Sequence, residues 1–218
     1  MLDKSSLFEL IAGGETSTVE FKRKSPSPQK LAKEISALAN TKGGYLFLGV
    51  DDDGSVCGIH SEKTSMDEIQ TACQFHLDPE PVYELGVINY KKKYIVVANI
   101  PQSKNKPHRV IVEDTENKKN IKRAYIRIGE KSVEASSEMA RLMSYQNKDS
   151  GKELKINFGE KEKRLFVYLE KHERITVKDY CKLVNTSKRT AERSLIALVR
   201  AGTIQIHNDT IRDYFTLI

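Results

Sequence analysis

Apolar residues with helical spacing occur several times in the first 146 residues. Over residues 29–40 they fall at i, i+4 and i+7, at positions Leu31, Ile35 and Leu38. This spacing predicts an amphipathic helix with Asn40 near its C-terminal cap. A capping box between Ser65 and Glu68 predicts the start of another helix, and residues 136–146 carry a further helical stripe.

The strand signals lie between these helices. In the segment 18–23, Val19 and Phe21 alternate with Glu20 and Lys22, which predicts a strand with one apolar face. Residues 45–50 show no polar alternation, which favours a central strand buried on both faces. The same reasoning predicts a short return strand after an acidic turn, and then two pairs of strands, at 55–59, 82–90, 94–100, 110–112 and 124–128. Residues 1–146 are therefore predicted to form one α+β domain with a mixed sheet.

The character of the chain changes after residue 146. Residues 147–159 are mostly polar and are predicted to be an interdomain linker. Residues 160–218 then show three helical stripes, with Thr176 and Ser187 as N-caps of the second and third helices. Two short alternating segments follow, joined at Asn208-Asp209 as in a tight hairpin. Three helices and a hairpin predict a winged helix-turn-helix domain.

The third of these helices carries the predicted DNA contacts. Its start is basic and polar on the side away from the apolar stripe, at Thr186, Ser187, Lys188, Arg189, Thr190 and Arg193. Helix-turn-helix proteins insert this part of the helix into the major groove, where Arg and Lys reach guanine edges or phosphates. The sequence thus predicts a protein that binds double-stranded DNA and regulates transcription. A homodimer is expected, because paired half-sites give the specificity that one helix lacks.

A purely structural interpretation of the same helix stays open. Charged residues on an amphipathic helix commonly form a solvated face, and Lys188 can pair with Glu192 at i, i+4. Some winged helices also bind proteins instead of DNA.

Composition supports an anionic partner without identifying it. The 218-residue chain has a formal net charge of +6, and residues 160–218 contain 12 Lys and Arg against 8 Asp and Glu. The three Cys are scattered, which favours a reducing compartment over a disulfide framework or a zinc site. Without a signal sequence or a long apolar run, the prediction is a cytoplasmic protein with no membrane segment.

Acidic residues at the ends of two predicted strands suggest a second kind of site. Glu15 and Glu20 flank the entry to the first strand, and DDDG (51–54) follows the buried strand. If those strands are neighbours, the carboxylates converge, and carboxylate oxygens are the ligands that Mg²⁺ prefers. Such a site can activate water for attack on a phosphodiester. Acids in turns and at strand ends are also commonplace structural residues.

Four segments of the chain resemble the Schlafen AlbA-like domain, also described as a divergent AAA family. They are ETSTVEFK (15–22), SALANTKGGYLFLGVDDDGSVCG (36–58), KPH (106–108) and AYIRIGEKSVEA (124–135). The similarity covers most of residues 10–145. Bacterial proteins that resemble this chain, with a winged helix behind the domain, are described as transcriptional regulators on the basis of that architecture.

The resemblance also implies an alternative activity. Related domains in animal Schlafen proteins cut structured RNA such as tRNA with two Glu and an Asp, which match Glu15, Glu20 and Asp52 of this chain. The alternative is therefore a metal-dependent ribonuclease or nuclease with RNA as a partner and Mg or Mn as its cofactor. Those nucleases use a duplicated, clamp-like domain, whereas this chain has one copy and would have to dimerise. The opposing interpretation is that Glu20 pairs with a nearby cation and Asp52 shapes a turn.

The divergent-AAA description implies ATP binding, which the residues themselves do not favour. A phosphate-binding loop runs from strand to glycine-rich turn to helix, whereas here a helix precedes Gly43-Gly44 and a strand follows. No G-x-x-x-x-G-K-[ST] motif occurs in the sequence. The expectation is a binding protein with no cofactor and no ATPase activity, and sensing of a small molecule by the first domain stays open.

Overall fold

The computed structural model describes residues 4–114, 119–146 and 159–218. The chain divides into two compact units, Met1–Ala135 and Ser136–Ile218. The predicted linker lies almost entirely outside the described residues, as does the centre of the polar loop 114–120. Among the residues described, no helix combines the length and the apolar character needed to cross a membrane.

The first unit is built from three helices and two sheets. In chain order its elements are α1 (Lys4–Ala12), β1 (Val19–Lys22), α2 (Pro28–Asn40), β2 (Gly43–Leu48), α3 (Glu62–His76), β3 (Leu77–Asp78), β4 (Glu84–Tyr90), β5 (Lys93–Pro101), β6 (Arg109–Asp114), β7 (Lys119–Ile128) and β8 (Lys131–Glu134). One sheet has the order β1-β2-β5-β4, with β1 and β2 parallel and the other pairs antiparallel. The second sheet, in the order β3-β6-β7-β8, is antiparallel. The prediction of an α+β fold with a mixed sheet is confirmed.

Helix α2 lies at the centre of this unit and packs on strands of both sheets. Its predicted apolar stripe is buried without any exposed surface, at Leu31, Ile35 and Leu38. Strand β2 is central in its sheet, as predicted. Leu46 and Leu48 join the core formed with α2, while Phe47 joins a separate core with α1 on the opposite face.

Two predictions in the first unit are wrong in detail. Helix α3 begins at Glu62, and its cap is Ser61, whose side chain accepts the backbone N–H of Thr64, so the capping box predicted at Ser65 does not form. The return strand at 55–59 reduces to one isolated bridge between Val50 and Val56. After the bridge, the N–H groups of Cys57 and Gly58 both donate to the carbonyl oxygen of Gly49, and the N–H of Ile59 donates to the carbonyl oxygen of Tyr94 on β5, so a regular ladder with β2 does not continue.

The glycine pair at the start of β2 is required by close backbone packing. Gly43 and Gly44 have φ angles of 76° and 149°. A Cβ atom on Gly43 would lie 2.4 Å from the backbone nitrogen of Gln102, and one on Gly44 would lie 2.1 Å from the carbonyl oxygen of Thr18. The pair therefore lets neighbouring backbone segments meet β2, besides reversing the chain after α2.

The second unit contains the remaining elements. They are α4 (Ser137–Gln146), α5 (Glu160–His172), α6 (Val177–Leu183), α7 (Lys188–Arg200), β9 (Ile204–His207) and β10 (Tyr214–Leu217). Side chains from the last three helices and both strands form its core, among them Leu165, Tyr180, Leu195, Ile204 and Phe215. The predicted caps are confirmed: Thr176 accepts the N–H of Asp179, and Ser187 accepts that of Thr190.

Two features of this unit differ from the sequence pattern. Strands β9 and β10 pair antiparallel, from Ile204 with Leu217 to His207 with Tyr214. The connection is therefore the six-residue loop 208–213 instead of a two-residue turn. Helix α4, which the pattern groups with the first domain, falls in the second unit and packs on α7.

Candidate functional site

Glu20 on β1 is a buried carboxylate held by two cations. Its side chain is 6% exposed. The Lys22 ammonium donates to one carboxylate oxygen, and Nη1 of Arg127 donates to the other at 2.5 Å. The predicted alternation of β1 is correct, because Val19 and Phe21 face the α1 core. The polar face of β1 is also buried at Glu20, where the Arg127 guanidinium packs against the carboxylate and neutralises its charge.

Arg127 on β7 is the centre of this network, and its side chain is fully buried. Nη2 donates to the carbonyl oxygen of Thr16 at 2.6 Å, and Nη1 donates to Ser132 Oγ at 3.1 Å. The Glu34 carboxylate of α2 lies 3.7 Å from Nη1. One guanidinium thus joins β1, α2 and β8. The alternation predicts this position only as part of a strand, and the signal for a buried cation is an Arg within the apolar run AYIRI.

Glu15 and Asp52, the other two predicted acidic residues, occupy different surroundings. Glu15 Oε1 accepts the backbone N–H of Phe21 at 2.8 Å. Burial raises the pKa of Glu15 above its ordinary value, the hydrogen bond from Phe21 opposes this rise, and the negative charges of Glu20 and Asp52 add to it. Asp52 is exposed in the turn after β2, where its backbone N–H donates to Asp51 Oδ1.

These three acids do not form a ready-made ligand set in this arrangement. Both oxygens of Glu20 already accept hydrogen bonds from cations, so a metal ion would have to displace Lys22 and Arg127. Within the described ranges, no group of three or more His, Cys, Asp or Glu residues is placed to hold a metal ion. The nuclease alternative therefore stays a prediction from the family resemblance, and no catalytic step is derived from it.

The side-chain amide of Asn40 links α2 to the second sheet through hydrogen bonds to backbone N–H and C=O groups, as a neighbouring strand would. Its Oδ1 accepts the backbone N–H of His108 at 2.8 Å, and its Nδ2 donates to the carbonyl oxygens of His108 and Tyr125, both at 2.9 Å. Asn40 is the last residue of α2 and Thr41 is the C-cap, so the prediction that Asn40 lies near the cap is confirmed. Ser36, one turn earlier, donates to the same His108 carbonyl and accepts the N–H of Tyr125.

His108 is enclosed by the same contacts. Its Nδ1 lies 2.6 Å from the carbonyl oxygen of Pro79, and burial lowers the pKa of the imidazole. The segments SALAN (36–40) and KPH (106–108), on which the resemblance rests, are therefore hydrogen-bonded to each other in the folded protein and have a structural role.

The start of α7 presents the residues predicted to contact DNA. Lys188, Arg189, Thr190 and Arg193 are exposed, while Thr186 is half-buried. Ala191, Leu195 and Leu198 are buried on the opposite side. The Ser187 and Thr190 hydroxyls lie 2.9 Å apart and share the capping of the helix. The exposed face thus consists mainly of cations.

Among the exposed cations of α7 in the described residues, Lys188 contacts the carboxylate of Glu192, whereas Arg189 and Arg193 do not. Glu192 is buried, and its carboxylate is contacted by Arg141 of α4, by Ser137 Oγ at 3.1 Å and by Lys188 at 3.6 Å. The predicted i, i+4 contact of Lys188 is therefore present. Among the described residues, no carboxylate lies within ion-pair distance of Arg189 or Arg193.

The fold and the buried hydrogen bonds define the class of the first unit. It is an α+β domain in which helix α2 packs on two sheets, and the buried Arg127 network connects the two sheets with this helix. Residues 15–136 match the family described as Schlafen, AlbA_2. This match spans more than half of the chain, and the protein belongs to that family.

Two solved structures are similar to parts of this chain. One is the solution NMR structure of the N-terminal domain of a RecG-related protein from Nitrosomonas europaea, with 22% identity, a TM-score of 0.40, and coverage of 56% of this chain and 81% of that one. The other is the crystal structure of the DIP2311 protein from Corynebacterium diphtheriae, with 17% identity, a TM-score of 0.44, and coverage of 76% of this chain and 33% of that one.

Proposed function

We propose that this protein binds double-stranded DNA through its second unit and acts as a regulator of transcription. The observation that carries the proposal is the pair Arg189 and Arg193, exposed one turn apart on α7 and without a carboxylate partner among the described residues. An unpaired, solvated Arg is available for a phosphate or for the O6 and N7 atoms of guanine.

The order of elements around this pair supports a winged helix-turn-helix. Helices α6 and α7 are joined by the short turn 184–187, and the β9–β10 hairpin follows. In winged helix-turn-helix proteins, the start of the second helix of this pair enters the major groove of DNA, and the hairpin loop lies beside the sugar-phosphate backbone of the duplex. Arg212 in the loop 208–213 and Lys178 at the start of α6 are both exposed, so each is available for phosphate contacts.

Charge and family support the same class of partner. The excess of four positive charges in residues 160–218 favours a polyanion. Schlafen AlbA-like proteins, which this chain resembles, include members that act on RNA. We further propose that the protein binds as a homodimer, since two copies of α7 would then read paired half-sites.

Selection of bound sequences from a random duplex pool tests this function. We expect enrichment of a palindrome with two half-sites, which would establish the partner and the symmetry together. Fluorescence anisotropy on the selected duplex then measures affinity at several salt concentrations, because phosphate contacts make the affinity fall as salt rises.

The double variant Arg189→Ala, Arg193→Ala tests the assignment of the helix. Loss of two contacts is expected to weaken binding by roughly 100-fold, at about 1–3 kcal/mol for each base contact. Lys161→Ala with Arg164→Ala removes the same charge from the exposed side of α5 and is the matched control. Equal binding by the two double variants would overturn the assignment of α7.

A further inference from the structure

Strand β4 (Glu84–Tyr90) lies at the edge of its sheet, and in the described part of the chain it pairs with β5 alone. It has seven residues, whereas the other edge strands β1, β3 and β8 have four, two and four. Val87, at the centre of β4, is 45% exposed. An exposed edge strand of this length is a template for pairing with another strand.

The register of the β4–β5 hairpin shows which backbone groups face outward. Lys91 and Lys92 have φ angles of 48° and 66°, as a two-residue type I′ turn requires. The residues that flank such a turn, here Tyr90 and Lys93, exchange both of their backbone hydrogen bonds. Bonded and non-bonded pairs alternate along an antiparallel ladder, so every second residue of β4 directs its N–H and C=O away from β5. These outward-facing residues are Leu85, Val87 and Asn89.

A contact on the far side of β5 agrees with this alternation. Tyr94 is opposite Asn89 in the register, and its carbonyl oxygen accepts the N–H of Ile59 at 2.9 Å. The Tyr94 carbonyl therefore points away from β4, as expected for a residue in a non-bonded pair. By the same geometry, the backbone groups of Asn89 point away from β5.

The opposite edge of the same sheet is closed by its own chain. On β1 the carbonyl oxygen of Val19 accepts the N–H of Thr16 at 3.1 Å. The N–H of Phe21 donates to Glu15 Oε1 at 2.8 Å, and the Phe21 carbonyl accepts from Lys22 Nζ at 2.9 Å. Strand β4 also lacks the features that keep edges apart, since it contains no Lys or Pro and its register has no bulge. Of the two edges, β4 is therefore the one suited to association.

We infer that β4 pairs antiparallel with the β4 of a second copy of this chain, with Val87 on the twofold axis. This assigns a surface to the homodimer proposed above and rests on that part of the proposed function. In this register Val87 is opposite Val87 of the second copy, and Leu85 is opposite Asn89. All three outward-facing residues of each copy then form backbone hydrogen bonds, and the two sheets join into one of eight strands.

Charge and symmetry favour a second copy over an unrelated strand. The acidic residue Glu84 begins β4, and Lys91 and Lys92 follow its end. Antiparallel self-pairing brings the acidic end of each strand beside the basic end of the other. The seven residues are also symmetric about an outward-facing one, so the strand pairs with itself without a shift or a bulge.

The pairing also covers apolar surface. Val87 and Tyr94 are both partly exposed and lie on the same face of the sheet, on neighbouring strands. Across the twofold axis the two Val87 side chains become cross-strand neighbours, which stabilises the pair. One strand pair is a small interface, so we expect a dimerisation Kd of about 1–100 µM.

Sedimentation equilibrium of the full chain without DNA, over about 1–300 µM, tests this interface. The wild type is expected to show a monomer–dimer equilibrium. Val87→Lys should weaken dimerisation at least tenfold, because two like charges would lie opposite each other. Val87→Pro should weaken it as well and still fold, because the N–H that it removes faces outward. Val167→Lys, at an exposed Val of α5, is the matched control and should dimerise like the wild type.

A cross-link tests the register. The Cα atoms of a hydrogen-bonded antiparallel pair are about 5.5 Å apart, within the range that a disulfide spans. Mild oxidation of Val87→Cys should therefore give a covalent dimer on a non-reducing gel. Val167→Cys carries the same three native Cys and is the control for random collisions, so it should show no more dimer than the wild type.

Three results would overturn the inference. The first is a monomer throughout the concentration range, which would leave the edge to solvent or to a strand of another protein. The second is a dimer that Val87→Lys and Val167→Lys affect equally, which would place the interface elsewhere. The third is equal cross-linking of the two Cys variants.

Failure of the interface and failure of DNA binding are separable. Arg189→Ala with Arg193→Ala should dimerise normally while losing DNA. Val87→Lys should bind a single half-site like the wild type and lose only the additional affinity for the palindrome. A β4 dimer that binds no DNA would contradict the proposed function alone, whereas a monomer that binds DNA would contradict this interface alone.

Discussion

Glu20 and Arg127 lie 107 residues apart in the chain and form a buried ion pair with an oxygen–nitrogen distance of 2.5 Å. The pair joins the parallel edge strand of one sheet to an internal strand of the other. Burial makes such a pair costly to break, since the remaining charge has no solvent to stabilise it. The carboxylate that resembles a nuclease ligand is therefore part of the internal framework of the first unit.

The substitution Glu20→Gln is expected to destabilise the protein by about 3–5 kcal/mol, because Arg127 would keep its charge without a full counter-charge. Urea unfolding followed by circular dichroism measures the loss. Glu134→Gln is the control, since the Glu134–Arg123 pair is half-exposed and worth less than about 1 kcal/mol.

The same variant separates the two views of the acidic residues. A stable Glu20→Gln protein that has lost Mn²⁺-dependent cleavage of tRNA would favour the nuclease alternative over the framework role.

The substitution Asn40→Ala is expected to cost about 3 kcal/mol, because it leaves the buried N–H of His108 and the C=O of Tyr125 without the Asn40 side chain, while the C=O of His108 keeps only the Ser36 hydroxyl. Thermal and urea unfolding measure this loss. Asn89→Ala on the exposed side of β4 is the matched change and should stay within about 0.5 kcal/mol of the wild type. An equal loss of stability in the two variants would contradict the proposed contribution of the Asn40 hydrogen bonds to holding α2 against the second sheet.

Two glycines with positive φ are expected to respond very differently to Ala. A Cβ on Gly44 would overlap the Thr18 carbonyl at 2.1 Å, so Gly44→Ala should prevent folding of the first unit or displace β1 from β2. Gly129, with φ 58°, has no atom within 4 Å of its Cβ position, so Gly129→Ala should cost only about 1–2 kcal/mol of backbone strain. Soluble expression and melting temperature distinguish the variants, and a similar melting temperature for both would contradict the close contact at Gly44.

The raised pKa of Glu15 predicts a pH dependence with a definite sign. The folded protein binds the proton of Glu15 more tightly than the unfolded chain, whose value is near 4.5. The contribution of Glu15 to stability is therefore greatest below that pH and declines as the pH rises through the folded-state pKa. Glu15→Gln keeps the oxygen that accepts the Phe21 N–H and removes the titration. The variant should gain stability relative to the wild type across that interval, and parallel stability curves for the two proteins would contradict the assignment.

The helices and most strands were predictable because their signals are local. The stripe of Leu31, Ile35 and Leu38 specifies a helix by spacing alone, and Thr176 and Ser187 cap helices through residues three positions away. Strand β8 and the length of the loop 208–213 were not predicted, because four residues of weak alternation and a polar turn carry little local information.

The sequence by itself determined the α+β class, the family and the exposed basic start of α7, because each of these depends on residue types at short, fixed spacings. Only the tertiary structure decided that Glu20 faces Arg127 and that Asn40 pairs with His108. The two residues of each pair come from distant parts of the chain, and the packing of α2 and the two sheets brings them together. Periodicity specifies which face of an element is polar, but it does not specify which charge from elsewhere covers that face.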